Sequence, residues 1–169
     1  MIPVTRSPAP TLILIAGLPG AGKTALAGRL EQEIPAIRLC GDEWMVDLGF
    51  NMHDEAARDR IEVLFWKIAQ RLLQVGVSVI LESGFWLRSD RDQKRLGARS
   101  LGVAVELRYL DVPLEERWRR IAARNEDPMW SAHSITRGQL EDWDQYFEVP
   151  DEAELALFDK AEIARWPNP

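Results

Sequence analysis

Apolar positions in this chain switch between short unbroken runs and a spacing of three and four, so strands and helices are expected to alternate. Thr11–Ala16 (TLILIA) is a strand-length apolar run, and helix-prone Lys23–Glu33 follows it. Ala36–Cys40 reads as a second strand. From Asp54 to Val75, the residues Ala57, Ile61, Leu64, Phe65, Ile68, Leu72 and Leu73 recur at helical spacing, with Gly76 placed to end the helix. Val77–Leu81 is a β-branched run that predicts a buried strand ending in Glu82. Helices are expected over Ser89–Ser100, Leu114–Asn125 and Gly138–Phe147, a strand over Val103–Leu110, and a short edge strand near Leu155–Phe158.

Strands separated by helices imply βαβ units, hence an α/β, three-layer fold with a mainly parallel five-stranded sheet flanked by helices. Residues 1–10 carry three prolines and are expected to form a flexible N-terminal tail, with 11–169 forming one domain. A hydrophobic content of 46% is enough for a core. The single cysteine, Cys40, excludes an intrachain disulfide, and its place beside a strand favours a small buried hydrophobe over a reactive thiol. No apolar run has transmembrane length and no leader is visible, so a cytoplasmic protein without a membrane partner is expected. The net charge of -6 disfavours a general nucleic-acid binder, which needs a basic surface. A small-molecule partner is expected instead, for a monomer or homodimer.

Between the first strand and helix, Gly17-Leu18-Pro19-Gly20-Ala21-Gly22-Lys23-Thr24 spells a complete Walker A loop, G-x-x-x-x-G-K-T. Its glycines let the backbone curl so that N–H groups and the helix N-terminus point at phosphate oxygens. Lys23 then reaches the β- and γ-phosphates and the Thr24 hydroxyl ligates Mg²⁺. ATP and Mg²⁺ are therefore the expected cofactors.

Asp42 directly follows the second strand, where the carboxyl ends of a parallel sheet line a ligand crevice. It either orients an acceptor hydroxyl or caps a helix from Glu43 to Leu48, and the residues alone leave both open. Glu82, at the end of an apolar strand, occupies the place of a metal-side carboxylate, although it could instead orient the acceptor or hydrogen-bond at the sheet edge. Arg117, Arg120 and Arg124 share one helix face, with Arg119 pointing elsewhere; they either close on a phosphoryl group or lie solvated beside Glu115 and Glu116. Trp44 and Trp86, close behind the two carboxylates, could wall an acceptor cavity or pack as core. Arg88 and Arg91 are either ligands for an anionic acceptor or solvated charges. His53 and His133 lack metal-ligand spacing.

The order G-L-P-G-A-G-K-T, G-D-E-W, V-I-L-E-S-G-F-W, Y-L-D-V-P and E-R-W-R-R-I-A-A-R-N resembles the P-loop small-molecule kinases. It looks closest to bacterial ATP-binding proteins under an AAA-like heading, and is more distantly similar to chloramphenicol phosphotransferase, the zeta toxins and the kinase domain of polynucleotide kinase. The resemblance spans about residues 11 to 150. It implies a P-loop NTPase fold with a helical lid near 117–137, Asp42 as base or acceptor-orienting group, and Arg120 and Arg124 on ATP phosphates or near adenine. Similar sequences often carry aspartate where this chain has Glu82. The expectation is an ATP-dependent kinase acting on a hydroxyl of a nucleoside, sugar or antibiotic-like acceptor. The rivals are a polynucleotide 5′-hydroxyl kinase and a nucleotide-dependent switch with little chemistry. A ring-forming motor is disfavoured, since no appended helical domain or sensor motif follows.

Overall fold

The computed structural model describes residues 9–127 and 133–166, so most of the expected tail and residues 128–132 of the expected lid lie outside the described residues. In chain order the elements are β1 Thr11–Ala16, α1 Lys23–Glu33, β2 Ala36–Cys40, α2 Gly41–Asp47, α3 Glu55–Gln74, β3 Ser78–Gly84, α4 Arg88–Ser100, β4 Ala104–Asp111, α5 Leu114–Asn125, α6 Arg137–Asp144, α7 Glu152–Leu155 and β5 Lys160–Arg165.

All strand pairs are parallel, in the order β2-β3-β1-β4-β5. β1 is therefore central and enclosed on both faces, which is why it reads as an unbroken apolar run rather than an alternating one. Its side chains still divide by parity: Leu12 and Leu14 join α3 and α4 residues in one core, while Ile13 and Ile15 pack with Ala27 of α1 in a second. The expected α/β, three-layer architecture is thus observed. The chain lays β3 between β1 and β2, then crosses to the far side of β1 to lay β4. That reversal opens the crevice at the carboxyl ends of β1 and β3.

Helix α3 begins where the Asp54 side chain accepts the Ala57 N–H at 2.9 Å and ends before Gly76, whose φ of 86° suits a residue without Cβ. Its buried stripe is Ala57, Ile61, Phe65, Ala69 and Leu73. The expected Leu64 is half exposed, because it lies about 100° around the helix from that seam and Ala69 takes the inward position.

Several boundaries also differ. Helix α2 starts at Gly41, so Asp42 lies within its first turn and the capping position belongs to Cys40. β3 continues through Glu82 to Gly84. Helix α6 starts one residue earlier and ends three earlier than expected, and a Thr136–Gln139 capping box defines its beginning. The edge strand expected near Leu155–Phe158 is displaced: Asp151 caps the short α7 by accepting the Glu154 N–H at 2.7 Å, and β5 follows. Lys160 and Glu162 of this strand alternate with Ala161 and Ile163 because its α1-side face is open. There Glu162 pairs with both Arg108 and Lys160 in a groove of about 590 Å³ beside Leu26 and Leu30. Among the described residues no helix is long and apolar enough to cross a membrane.

Candidate active site

The Walker loop joins β1 to α1 and depends on backbone that only glycine adopts cheaply. Gly20 has a φ of 80°, and a Cβ there would lie 2.8 Å from the Arg117 carbonyl oxygen. Gly22 has a φ of 99° and holds the capping position of α1 without a side-chain cap. The first N–H groups of α1 therefore remain directed outward, as an anion requires. The Gly17 N–H is committed elsewhere: it donates to the Gly84 carbonyl at 2.9 Å, tying the loop to the end of β3.

Lys23 donates its ammonium to the Leu18 carbonyl at 3.1 Å. Burial pulls its pKa below the usual lysine value, while the charges of Asp42 and Glu82 oppose that shift. The Thr24 hydroxyl donates to Glu82 Oε1 at 2.5 Å. Glu82 is only 7% exposed, and its second oxygen, Oε2, accepts Arg38 Nη1 at 3.3 Å. A buried carboxylate needs such partners, and here they are the Walker threonine and a β2 cation. The oxygen pair of Thr24 and Glu82 suits a hard cation such as Mg²⁺. Among the described residues no group of three or more His, Cys, Asp or Glu side chains could hold a metal. A bound Mg²⁺ would therefore complete its shell with phosphate and water oxygens, its usual habit at such sites.

Asp42 is reached by a residue that the sequence did not flag. Arg58, from the first turn of α3, donates Nη1 to Asp42 Oδ1 at 2.6 Å and Nη2 to the Met52 carbonyl at 3.0 Å. Sixteen residues separate the pair, and neither periodicity nor motif links them. The Asp42 charge also acts on Lys23 and on Arg124, whose pKa burial lowers against it. Lys23, Thr24, Asp42, Glu82 and Arg124 are thus gathered at one end of the sheet.

The α5 arginines expected on one face separate in role. Arg117 is buried, donates to the Val112 carbonyl at 2.9 Å and pairs with Asp144, joining α5 to α6. Arg120 lies on the Walker loop: Nη1 donates to the carbonyls of Gly20 and Ala21, both at 3.2 Å, and Nε to Glu116 at 2.7 Å. Its guanidinium stands 4.6 Å from the ring of Trp166, a residue just past β5 that sequence reasoning missed. A small pocket of about 140 Å³ opens between them, bounded by Ala21, Gly22, Ala25 and Val112.

Trp44 meets Phe65 edge-on at 4.9 Å and remains 38% exposed. Trp86 lies 5.8 Å from Trp143 and folds over Gly84. Arg91 is neither an anion ligand nor a solvated charge. It is fully buried, and all five of its N–H groups are used, by Glu154 at 2.6 and 2.9 Å and by the carbonyls of Phe85, Trp86 and Glu148 at 2.8, 3.2 and 2.8 Å. The turn it grips is strained, since Phe85 has a φ of 46°. Arg88 stays at the surface near Asp92 and Asp151, at 3.6 and 3.7 Å.

The family model described as AAA domain matches residues 12–150. The adenylyl-sulfate kinase of Aeromonas hydrophila subsp. hydrophila is 28% identical over 165 residues, covering 88% of this chain and 76% of that protein. A presumed kinase from Chloroflexus aurantiacus j-10-fl superposes with a TM-score of 0.75 at 20% identity, covering 94% of this chain and 89% of that one. Chaetomium thermophilum Kti12 in complex with ADP-AlF3 superposes with a TM-score of 0.69 at 17% identity, covering 92% and 89%. At such identities the structural likeness is one of fold.

Proposed function

The chain belongs to the AAA domain family of P-loop proteins, and from that premise we propose that it transfers the γ-phosphoryl group of ATP, with Mg²⁺, to a hydroxyl of a small molecule. The observation that carries this reading is the contact of the Walker threonine with Glu82 beside partly buried Lys23, which puts a metal-side oxygen pair and a phosphate-side cation in one place. The likeness to an adenylyl-sulfate kinase supports phosphoryl transfer as the chemistry.

In this reading the outward N–H groups of the loop and Lys23 bind the phosphates, while Thr24 and Glu82 hold the cation. Held by Thr24 and Glu82, Mg²⁺ would supply positive charge that offsets the charge of the phosphates. Asp42 accepts a hydrogen bond from the acceptor hydroxyl and aims it at the γ-phosphorus, and Arg58 fixes the rotamer of Asp42. Arg120, already lying on the loop, and Arg124, on the Asp42 side, supply positive charge as the loose transition state forms. The pocket between Arg120 and Trp166 takes the nucleotide base. Residues 117–137 act as the lid, exposed Trp44 offers ring surface to the acceptor, and partly buried Trp86 lines the same cavity.

The test is ADP release from Mg²⁺-ATP by wild type and Asp42→Asn across nucleosides, sugars, hydroxylated antibiotics and 5′-hydroxyl oligonucleotides, with mass spectrometry of the product. An acceptor-dependent phosphorylated product is expected from wild type. Asp42→Asn should lose about 10²- to 10⁴-fold in transfer, the usual worth of a positioned proton acceptor, and little ATP affinity. Equal losses in both would mean that Asp42 only supports the fold.

A further inference from the structure

Glu82 has two oxygens and two donors, and the donors differ in kind. The Thr24 hydroxyl belongs to the Walker loop and sits 2.5 Å from Oε1. Arg38 belongs to β2, two residues before Cys40, the register partner of Glu82, and reaches Oε2 at 3.3 Å. Its guanidinium is shared among three carboxylates. Nη2 binds both oxygens of Glu43 at 2.7 and 2.9 Å, and Nε lies 3.4 Å from Glu31. The contact with Glu82 is therefore longer than those with Glu43, and its loss would leave the arginine still held.

We propose that Arg38 competes with a divalent cation for the charge of Glu82, and that this competition sets how tightly the site takes Mg²⁺. The inference rests on reading Glu82 as the metal-side carboxylate. Glu82 is almost fully desolvated, so its charge must be balanced by a cation from the protein or by a metal ion. Two cations on one carboxylate repel each other, so a guanidinium at Oε2 weakens the pull of Glu82 on a metal ion. Because Glu43 and Glu31 also hold Arg38, release of its Oε2 contact when a cation binds Glu82 leaves no unpaired guanidinium. The arginine thus stabilises the carboxylate at the expense of metal affinity. A residue that merely braced Glu82 would act in the opposite sense, because its removal would loosen the ligand and weaken the metal.

The experiment is calorimetric titration with ADP, once in EDTA and once in saturating Mn²⁺, on wild type, Arg38→Met, Arg38→Lys, Glu82→Gln and the double variant Arg38→Met/Glu82→Gln. The ratio of the two dissociation constants reports how strongly the protein itself holds the metal with nucleotide. Arg38→Met should raise that ratio roughly three- to tenfold, the range of a partly screened ion pair. Arg38→Lys, which keeps the charge, should stay near wild type, and Arg38→Met should have no effect in the Glu82→Gln background. A ratio that falls or does not move in Arg38→Met, or that rises equally without Glu82, overturns the proposal. A wild-type ratio of one instead overturns the metal-side reading of Glu82, which separates the two failures. Thermal melts confirm that each variant folds, and Arg38→Gln replaces Arg38→Met if the latter does not.

Discussion

At the scale of single residues, the site is a set of charges whose burial sets their behaviour. Lys23 is partly buried, with its ammonium donating to the Leu18 carbonyl of the loop. Lys23→Ala should abolish phosphoryl transfer while leaving the fold intact, and an unchanged turnover rate in the folded variant would defeat the assignment. Cys40 shows how location decides reactivity. Burial first, and then the neighbouring Glu82 charge, push its thiol from an ordinary 9.0 up to about 12, outweighing a backbone hydrogen bond that favours the thiolate. The folded thiol therefore stays protonated where the unfolded one ionises. Its contribution to stability is complete below about pH 9 and lost as pH rises toward 12. Urea unfolding between pH 8 and about 11 should show wild-type stability falling more steeply than that of Cys40→Ser, and parallel curves would refute it. Both residues were recognisable in the sequence, Lys23 by its motif and Cys40 by its strand. Arg58 and Arg38 were not, because a side chain that crosses from one element to another leaves no local pattern.

At the scale of elements, the turn after β3 links the two halves of the crevice. Its Gly84 carbonyl holds the first Walker glycine, and its Phe85 and Trp86 carbonyls are held by Arg91, which also grips Glu148 and Glu154 near the end of the chain. Arg91 fastens the turn just before its own helix to Glu148 and Glu154, which are 57 and 63 residues away in sequence. Arg91→Lys keeps a charge opposite Glu154 but cannot span three carbonyls, so denaturant unfolding should show a loss of roughly 2–4 kcal/mol. A change under about 0.5 kcal/mol would mean that the strained turn holds without the clamp. The most legible elements were α1, α5, β1 and β2, which have the bounds that their patterns predicted, while α3 differs by one residue at each end. β5 was the least legible. Its charged Lys160 and Glu162 reflect an open sheet face rather than a buried one, so it lacks the apolar run that announced β1.

At the scale of the whole molecule, the net charge of -6 leaves no general basic surface for a phosphate backbone. In a gel-shift series, 5′-hydroxyl oligonucleotides should show no retention that weakens steeply with salt, and a steep salt dependence would favour the polynucleotide kinase reading. The sheet order places both carboxylates and the Walker loop at one end of the molecule, while the open charged groove runs between α1 and the β4–β5 edge. What the sequence determined by itself was local: a motif whose chemistry lies in eight consecutive residues, and elements whose period follows from which side is buried. Tertiary structure decided the rest. It brought Arg38 to Glu82, Arg58 to Asp42 and Trp166 to Arg120, and it buried Arg91 within hydrogen-bonding distance of three carbonyl oxygens. The physical reason is that a charge's partner is set by strand order and crossover, which bring distant segments within ångströms, whereas periodicity records only which face of one segment is dry.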